Sequence, residues 1–450
     1  MINTTQISAK LSSLPIEEIS NETNYSVHAD NELDALSMTM GFFVMLSKGT
    51  NTIGAWTLEV SKLLKRVFSK SAISAKLQYR QLEFFKELLS HVLVKQTKEH
   101  SMHHGIKEQL LAPFRRVLVE DSMCFKLPKN LAAIFPGPHS SKGAVATGKI
   151  QCCLDIKSGT TTNLTVQSYR DNDQKFADYI LHTLKAGDLV LRDLGYWTLR
   201  VFGLIIKMDA FFLSRYCFGT YVYDADNEQQ INLATKLNKA KKQGQTIVKM
   251  DVLLGKEAKV PCRLVAIKVP QQVEQERRRK ALKNKDQRAN HSKEYMILLG
   301  WTIFVTNVDD EVWTPKEMLQ VYGYRWRIET VFKVWKSQFD FERIFQNKQS
   351  ISPPRAEITI YLVLLCWITL FFVKLYNFFF SEVLLQKGKF VSIMKFAKYF
   401  KDHFVELHAY PDWNFQIELV AKYCVYDKRK IPNFCQKLYL TTQQFHETFN

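Results

Sequence analysis

The chain has 450 residues, 46% of them hydrophobic and 24% charged, so it is long enough for several cores and too apolar for a largely disordered protein. Lys and Arg number 62 against 44 Asp and Glu, a formal charge of +18, which points to a polyanionic partner, nucleic acid or an anionic membrane surface. With 17 Gly and 12 Pro it is not collagen-like, and its eight cysteines form no C-x-x-C pair, which argues against a zinc ribbon and for free thiols in a reducing compartment.

The first thirty residues are polar and lack the apolar run of a secretory signal. Residues 1–110 read as a helical, DNA-binding region. Two amphipathic segments flank Ser69-Lys70-Ser71, and a second helix starting near Ser71 and carrying Lys76 and Arg80 makes either a helix-turn-helix or a plain helical hairpin.

From Phe114 the periodicity changes. Val117-Val119 reads as a strand ending at Glu120-Asp121, Ile150–Ile156 and Thr162–Ser168 as two more, Asp173–Lys185 as a helix, and Leu189–Leu191 as a strand ending at Arg192-Asp193. The order fits a ribonuclease H-like core: a three-stranded meander, a crossover helix, and a fourth strand parallel to the first. That topology brings Asp121 and Asp193 together across 72 residues of sequence. Asp155, Glu120 and Asp188 are nearby carboxylates that read as turn, edge or solvent residues.

Short β-like runs at Ala210–Leu213, Lys249–Leu254, Arg263–Val269 and Trp301–Val308 alternate with polar stretches, a β-rich insertion over 201–308. Within it, Gln271–Arg288 holds seven basic residues against three acidic ones, either a solvated helix or a strip that tracks phosphates. Thr314-Pro315-Lys316-Glu317 is a helix start with a Thr cap, Pro in the first position and Glu in the third, and Gly323 divides the helix it opens. The catalytic core then covers 111–200 and 309–345, and 346–450 forms a helical C-terminal region. Ile358–Val373 is sixteen residues without a charge, shorter than the roughly 18–20 residues of a membrane span, and reads as a buried core helix.

The segment Tyr322–Lys336, YGYRWRIETVFKVWK, carries the densest chemistry. At about 100° per residue Tyr322, Arg325, Glu329 and Lys336 fall within an arc of roughly 60°, with Lys333 on the same face and Ile328, Val331, Val334 and Trp335 opposite. Such a face offers one carboxylate for a divalent metal, flanked by cations that grip phosphates. An ordinary amphipathic helix with charge pairs has the same pattern.

The spacing Y-x2-R-x3-E-x6-K resembles the signature of the insertion-sequence-four family of bacterial DDE transposases, and VLVEDSMCFKLPKNLAAIFPG, GDLVLRDLGYW and WTIFVTNV resemble other stretches of it. The resemblance runs from about Phe114 to Phe339. It implies a ribonuclease H-like α/β fold with a β-rich insertion, and Asp121, Asp193 and Glu329 as a catalytic, metal-holding triad. It further implies two Mg²⁺ ions, with Mn²⁺ as a substitute, and contacts to DNA from Tyr322, Arg325, Lys336 and Trp301, the last by stacking on a flipped base. The function implied is metal-dependent cleavage at transposon ends and transfer of the 3′-OH into target DNA. The implied partners are inverted-repeat end DNA, target DNA and a second copy of the chain in a homodimer, in the cytoplasm at the nucleoid and without membrane. Two other readings are a catalytically inactive DNA-binding transposition inhibitor and a membrane-anchored basic protein.

Overall fold

A computed structural model describes residues 14–26, 33–100, 109–139, 143–171, 173–284, 291–339, 343–345, 350–365, 373–403 and 412–427, and the single positions 11, 141, 341 and 407. His103-His104, Lys285, Arg288 and residues 366–372 of the apolar run lie outside the described residues.

The N-terminal region holds α1 (Ile16–Glu22), α2 (Ala35–Ser47), α3 (Ile53–Leu64), α4 (Lys70–Ala75) and α5 (Tyr79–His100). Asp34, Thr52 and Ser69 cap α2, α3 and α4 by accepting backbone N–H bonds from Ser37, Ala55 and Ala72. A helix does begin near Ser71, at Lys70 after the Ser69 cap, but it is shorter than expected: Lys76 ends it and Arg80 belongs to α5. Trp56 in α3 donates its indole N–H to the Met38 carbonyl of α2 at 3.0 Å, which ties these helices together.

One nine-stranded sheet organises the rest, in the order β3-β2-β1-β4-β5-β9-β8-β7-β6. β1 (Val117–Leu127) pairs antiparallel with β2 (Ala146–Asp155), β2 with β3 (Thr160–Ser168), and β1 runs parallel to β4 (Leu189–Arg192). This is the meander and parallel fourth strand of the ribonuclease H-like core. β1 is longer than the sequence reading had it, because Met123, Phe125 and Leu127 continue the alternation; Asp121 therefore sits mid-strand, opposite Cys152. The crossover, expected as one helix, is a short α6 (Asp173–Phe176) and a 3-10 turn at Tyr179–His182.

After α7 (Leu199–Lys207), β5 (Phe211–Arg215) runs parallel to β4. β6 (Val222–Asp224), α8 (Leu233–Lys242), β7 (Ile247–Leu254), β8 (Val260–Lys268), α9 (Gln271–Lys283), α10 (Lys293–Leu298) and β9 (Trp301–Thr306) follow. β9 pairs antiparallel with both β5 and β8, so the strands of 201–308 extend the core sheet and form no sheet of their own. In α9, Arg277 donates to the Trp301 carbonyl and Thr302, and Arg278 to the Met296 carbonyl and Glu274, so two of its cations serve the fold.

α11 (Pro315–Gly323) opens with the expected capping box, Thr314 and Glu317 each bonding the other's backbone N–H. Helix α12 (Trp326–Ser337) follows at once, with Tyr324 and Arg325 between them in helical conformation. The C-terminal region is α13 (Pro353–Val363), α14 (Val373–Lys387), α15 (Ile393–Asp402) and α16 (Trp413–Tyr423). Ile358, Ile360, Leu362, Leu364 and Leu365 are fully buried, and α13 packs on α5 and α2. Among the described residues no helix is long and apolar enough to cross a membrane.

One core lies on each face of the sheet. Val117, Val119, Met123 and Phe125 of β1 face the cluster shared with the terminal helices, α11 and α12, and Leu118 faces the one shared with α7, α8 and β9. Gly148 of β2 sits opposite Phe125, and a Cβ there runs into the Phe125 ring, itself edge-on to Phe341 at 5.0 Å. Gly148→Ala is expected to destabilise the protein by about 1–3 kcal/mol through overpacking. Urea denaturation checks it, and an unchanged midpoint means the ring yields freely.

Candidate active site

Asp121 rises from the middle of β1 onto the sheet face covered by α11 and α12. It accepts the Ser122 N–H at 2.8 Å. Asp193 follows the last residue of β4 in extended conformation and leads into the 3-10 turn Leu194–Tyr196, its side chain 41% exposed. Glu329 stands in the first turn of α12. Three elements far apart in sequence thus bring Asp193 and Glu329 to either side of Arg325, with Asp121 near enough to feel their charge.

Arg325, at the junction of α11 and α12, lies among them. Its Nη2 donates to Glu329 Oε1 at 2.8 Å and its Nε lies 3.8 Å from Asp193 Oδ1. Burial opposes its charge, but Asp193, Tyr322, Glu329 and Asp121 together hold its pKa above the ordinary value. For Asp121 burial is the largest influence and lifts the carboxyl to about 6; the Ser122 N–H and Arg325 pull it down, and Glu329 and Asp193 push it up. Asp121 therefore feels the charge of the other two acids, and Arg325 is paired with Glu329 and lies near Asp193.

Tyr322 turns inward. Burial raises its phenol to about 12, and its hydroxyl donates to the Arg192 carbonyl at 3.3 Å. Lys336 is exposed, two turns along α12 from Glu329, and close enough to Cys124 to oppose the effect of burial on that thiol. Trp301 is not brought to the acids. It is 2% exposed in the core on the other face of the sheet, and among the described residues its indole N–H has no hydrogen-bond partner. The exposed ring beside the acids is Trp326, 51% exposed and 5.5 Å from the Arg325 guanidinium. Its place directly after Arg325 is the signal in the sequence that marks it.

The neighbouring carboxylates prove structural. Asp155 accepts from Val117 N and Lys157 N at 3.1 Å and from Ser158 Oγ at 2.6 Å. Asp188, read as a turn, edge or solvent residue, is fully buried and accepts two bonds from Arg116, at 3.0 and 2.5 Å. Glu120 is buried against Arg192 at 2.8 Å, and burial lifts its pKa to about 7 against the pull of that guanidinium.

Residues 112–369 match the family model of the transposase DDE domain. Over 346 residues the chain is 31% identical to the transposase for insertion sequence element IS231F of Bacillus thuringiensis subsp. israelensis, covering 72% of this chain and 69% of that one. It is 28% identical over 345 residues to the transposase for IS231B of Bacillus thuringiensis subsp. berliner, covering 72% and 68%. Among solved structures, the cryo-EM structure of the piggyBac transposase synaptic complex with hairpin DNA aligns with 96% of this chain and 86% of that one, at a TM-score of 0.38 and 9% identity. The chain belongs to the DDE transposases of insertion sequences. It is a DNA-cleaving and strand-transferring enzyme, of a class that works with divalent metal ions.

The donor chemistry fits such an ion. The gathered acids offer only oxygen, which hard divalent cations prefer, and the raised pKa of Asp121 reflects buried anionic charge that a cation relieves. Among the described residues no three His, Cys, Asp or Glu stand close enough to enclose a metal as they are, and Arg325 supplies the balancing charge.

Proposed function

We propose that Asp121, Asp193 and Glu329 are the catalytic triad of this transposase and hold two Mg²⁺ ions, with Mn²⁺ able to replace them. The observation that carries this reading is the gathering of these carboxylates around Arg325 from β1, the end of β4 and α12. When bound, the two ions activate the attacking oxygen and stabilise the leaving oxygen of the phosphodiester. The chain's own residues place the DNA. The three carboxylates fix where the scissile phosphate sits, and Lys336 on the exposed face of α12 grips the backbone beside it. Tyr322 holds the α11–α12 junction against β4 through the Arg192 carbonyl. Arg325 reaches a phosphate by leaving Glu329 and Asp193, an exchange of one anionic partner for another. Trp301 meets a flipped base only where its core opens, whereas Trp326 offers a ring at the surface.

The substrates proposed are the inverted-repeat ends of the element and the target DNA, with the chain acting as a homodimer at the nucleoid. Hydrolysis at each end frees a 3′-OH, which then attacks the target. The helical region before residue 110 takes part in end binding, a reading supported by exposed Lys62, Lys65, Arg66 and Lys70 around the α3–α4 turn. The domain bounds proposed are 1–110, 111–200 with 309–345, 201–308 and 346–450.

Lys336→Ala is expected to weaken end-DNA binding and to reduce the slope of log K against log salt by about one. Fluorescence anisotropy over a salt series measures both. An unchanged slope removes Lys336 from the phosphate contacts.

A further inference from the structure

The residue before each aspartate of the site belongs to one buried ion pair. Glu120 precedes Asp121 in β1 and Arg192 precedes Asp193 at the end of β4, on parallel strands with Val119 opposite Leu191. Side chains alternate along a strand, so Glu120 points to the face opposite Asp121. There its Oε2 accepts from Arg192 Nη2 at 2.8 Å. Arg192 is wholly buried, and it also donates from Nη2 to the Ala177 carbonyl at 2.6 Å and from Nη1 to the Tyr196 carbonyl at 3.0 Å. The Tyr196 contact closes the turn that Asp193 opens.

The backbone of the same residue reaches α11, the helix that runs into α12. The Arg192 carbonyl accepts from the Tyr322 hydroxyl at 3.3 Å and from Ser214 Oγ of β5 at 3.2 Å. Tyr322 lies seven residues before Glu329, across the α11–α12 junction. Arg192 therefore belongs to β4, holds β1 through Glu120, and reaches through its carbonyl α11, the helix that leads into α12. A buried ion pair gives little or no net stability over apolar residues of the same volume. What this pair supplies that apolar residues cannot is direction: a fork of donors with fixed angles between two strand positions.

We propose that Glu120 and Arg192 are positioning residues that fix Asp121 and Asp193 relative to one another and, through Tyr322, the α11–α12 junction that leads to Glu329, and so support metal binding from behind the sheet. The proposal rests on the triad reading above. Groups that orient metal ligands without touching the ion typically change metal affinity by about 10–100-fold when replaced.

The test is an Mn²⁺ titration of the full-length protein, followed by the electron paramagnetic resonance signal of the free aqueous ion. Thermal unfolding and metal-free binding of a duplex carrying one element end are recorded alongside. Glu120→Gln keeps the shape and removes the charge; it is expected to raise the Mn²⁺ dissociation constant about tenfold, with metal-free DNA binding within about twofold of wild type. A wild-type Mn²⁺ constant in folded Glu120→Gln overturns the proposal, because the pair then only fills the core. If Glu120→Gln does not fold, Arg192→Lys keeps the charge pair but has one nitrogen for three acceptors. A weakened Mn²⁺ constant there supports positioning and a wild-type constant overturns it. Asp121→Ala separates the two claims. Wild-type Mn²⁺ binding in that variant removes the triad reading and this proposal with it, whereas lost binding there beside unchanged binding in Glu120→Gln removes the positioning role alone.

Discussion

Glu329→Ala is expected to bind end DNA but cleave it at least about 10³-fold more slowly than wild type. Removing one member of a set of catalytic groups that act together costs rates of this order or more. The substitution also frees Arg325 Nη2 from its 2.8 Å bond, leaving Asp193 as its carboxylate neighbour among the described residues. Retained or tightened DNA binding beside lost cleavage is therefore the specific signature, since the released guanidinium faces a phosphate with less competition. Single-turnover cleavage of a labelled end duplex, with binding measured on the same duplex, reads both quantities. Cleavage within a few-fold of wild type places the catalytic carboxylate elsewhere.

Asp121→Asn is expected to stabilise the metal-free protein, by about 3 kcal/mol near neutral pH. The carboxyl rises from an ordinary 3.8 to about 6 on folding, and each pH unit is worth about 1.4 kcal/mol. Between about pH 4 and 6 the folded chain keeps a proton that the unfolded chain has released, so this group's contribution to stability falls as pH rises and is fully unfavourable above about 6. Asparagine carries no such charge, so the gain should vanish below about pH 4. Urea denaturation in chelator across this range tests it, and parallel curves for the two proteins defeat it. Added Mn²⁺ should raise the stability of wild type and leave the variant little changed.

Much of this architecture was legible in the residues. β-Branched runs and the turn at Ser158-Gly159 marked the strands of the meander, and the Thr314-to-Glu317 capping box and Gly323 marked the two signature helices where they occur. Spacing alone placed Arg325 and Glu329 on one face, and their ion pair follows from that. What stayed hidden depends on partners distant in sequence. Alternation along β1 puts Glu120 and Asp121 on opposite faces, and Asp188 and Asp193 flank β4, but that Arg192 and Arg116 arrive to pair with Glu120 and Asp188 depends on the tertiary fold. β9 reads as a strand, but its pairing with β5 as well as β8 is a long-range choice that merged the expected insertion with the core sheet. Trp301 lies in a segment whose alternation suits either a ligand face or a core face, and the packing of β9 settled it inside.

The two ends of the sheet have a bearing on how the chain behaves in concentrated solution. A strand edge with open N–H and C=O groups is a template for pairing with other molecules and hence for aggregation. At one end α5 packs on β3 and covers it. At the other, β6 is only three residues long, and Lys259 lies over its Tyr223 ring at 3.5 Å. Nine strands thus end in two margins that give a stray polypeptide little to extend, which suits a basic protein that must stay dispersed while it searches a long polymer.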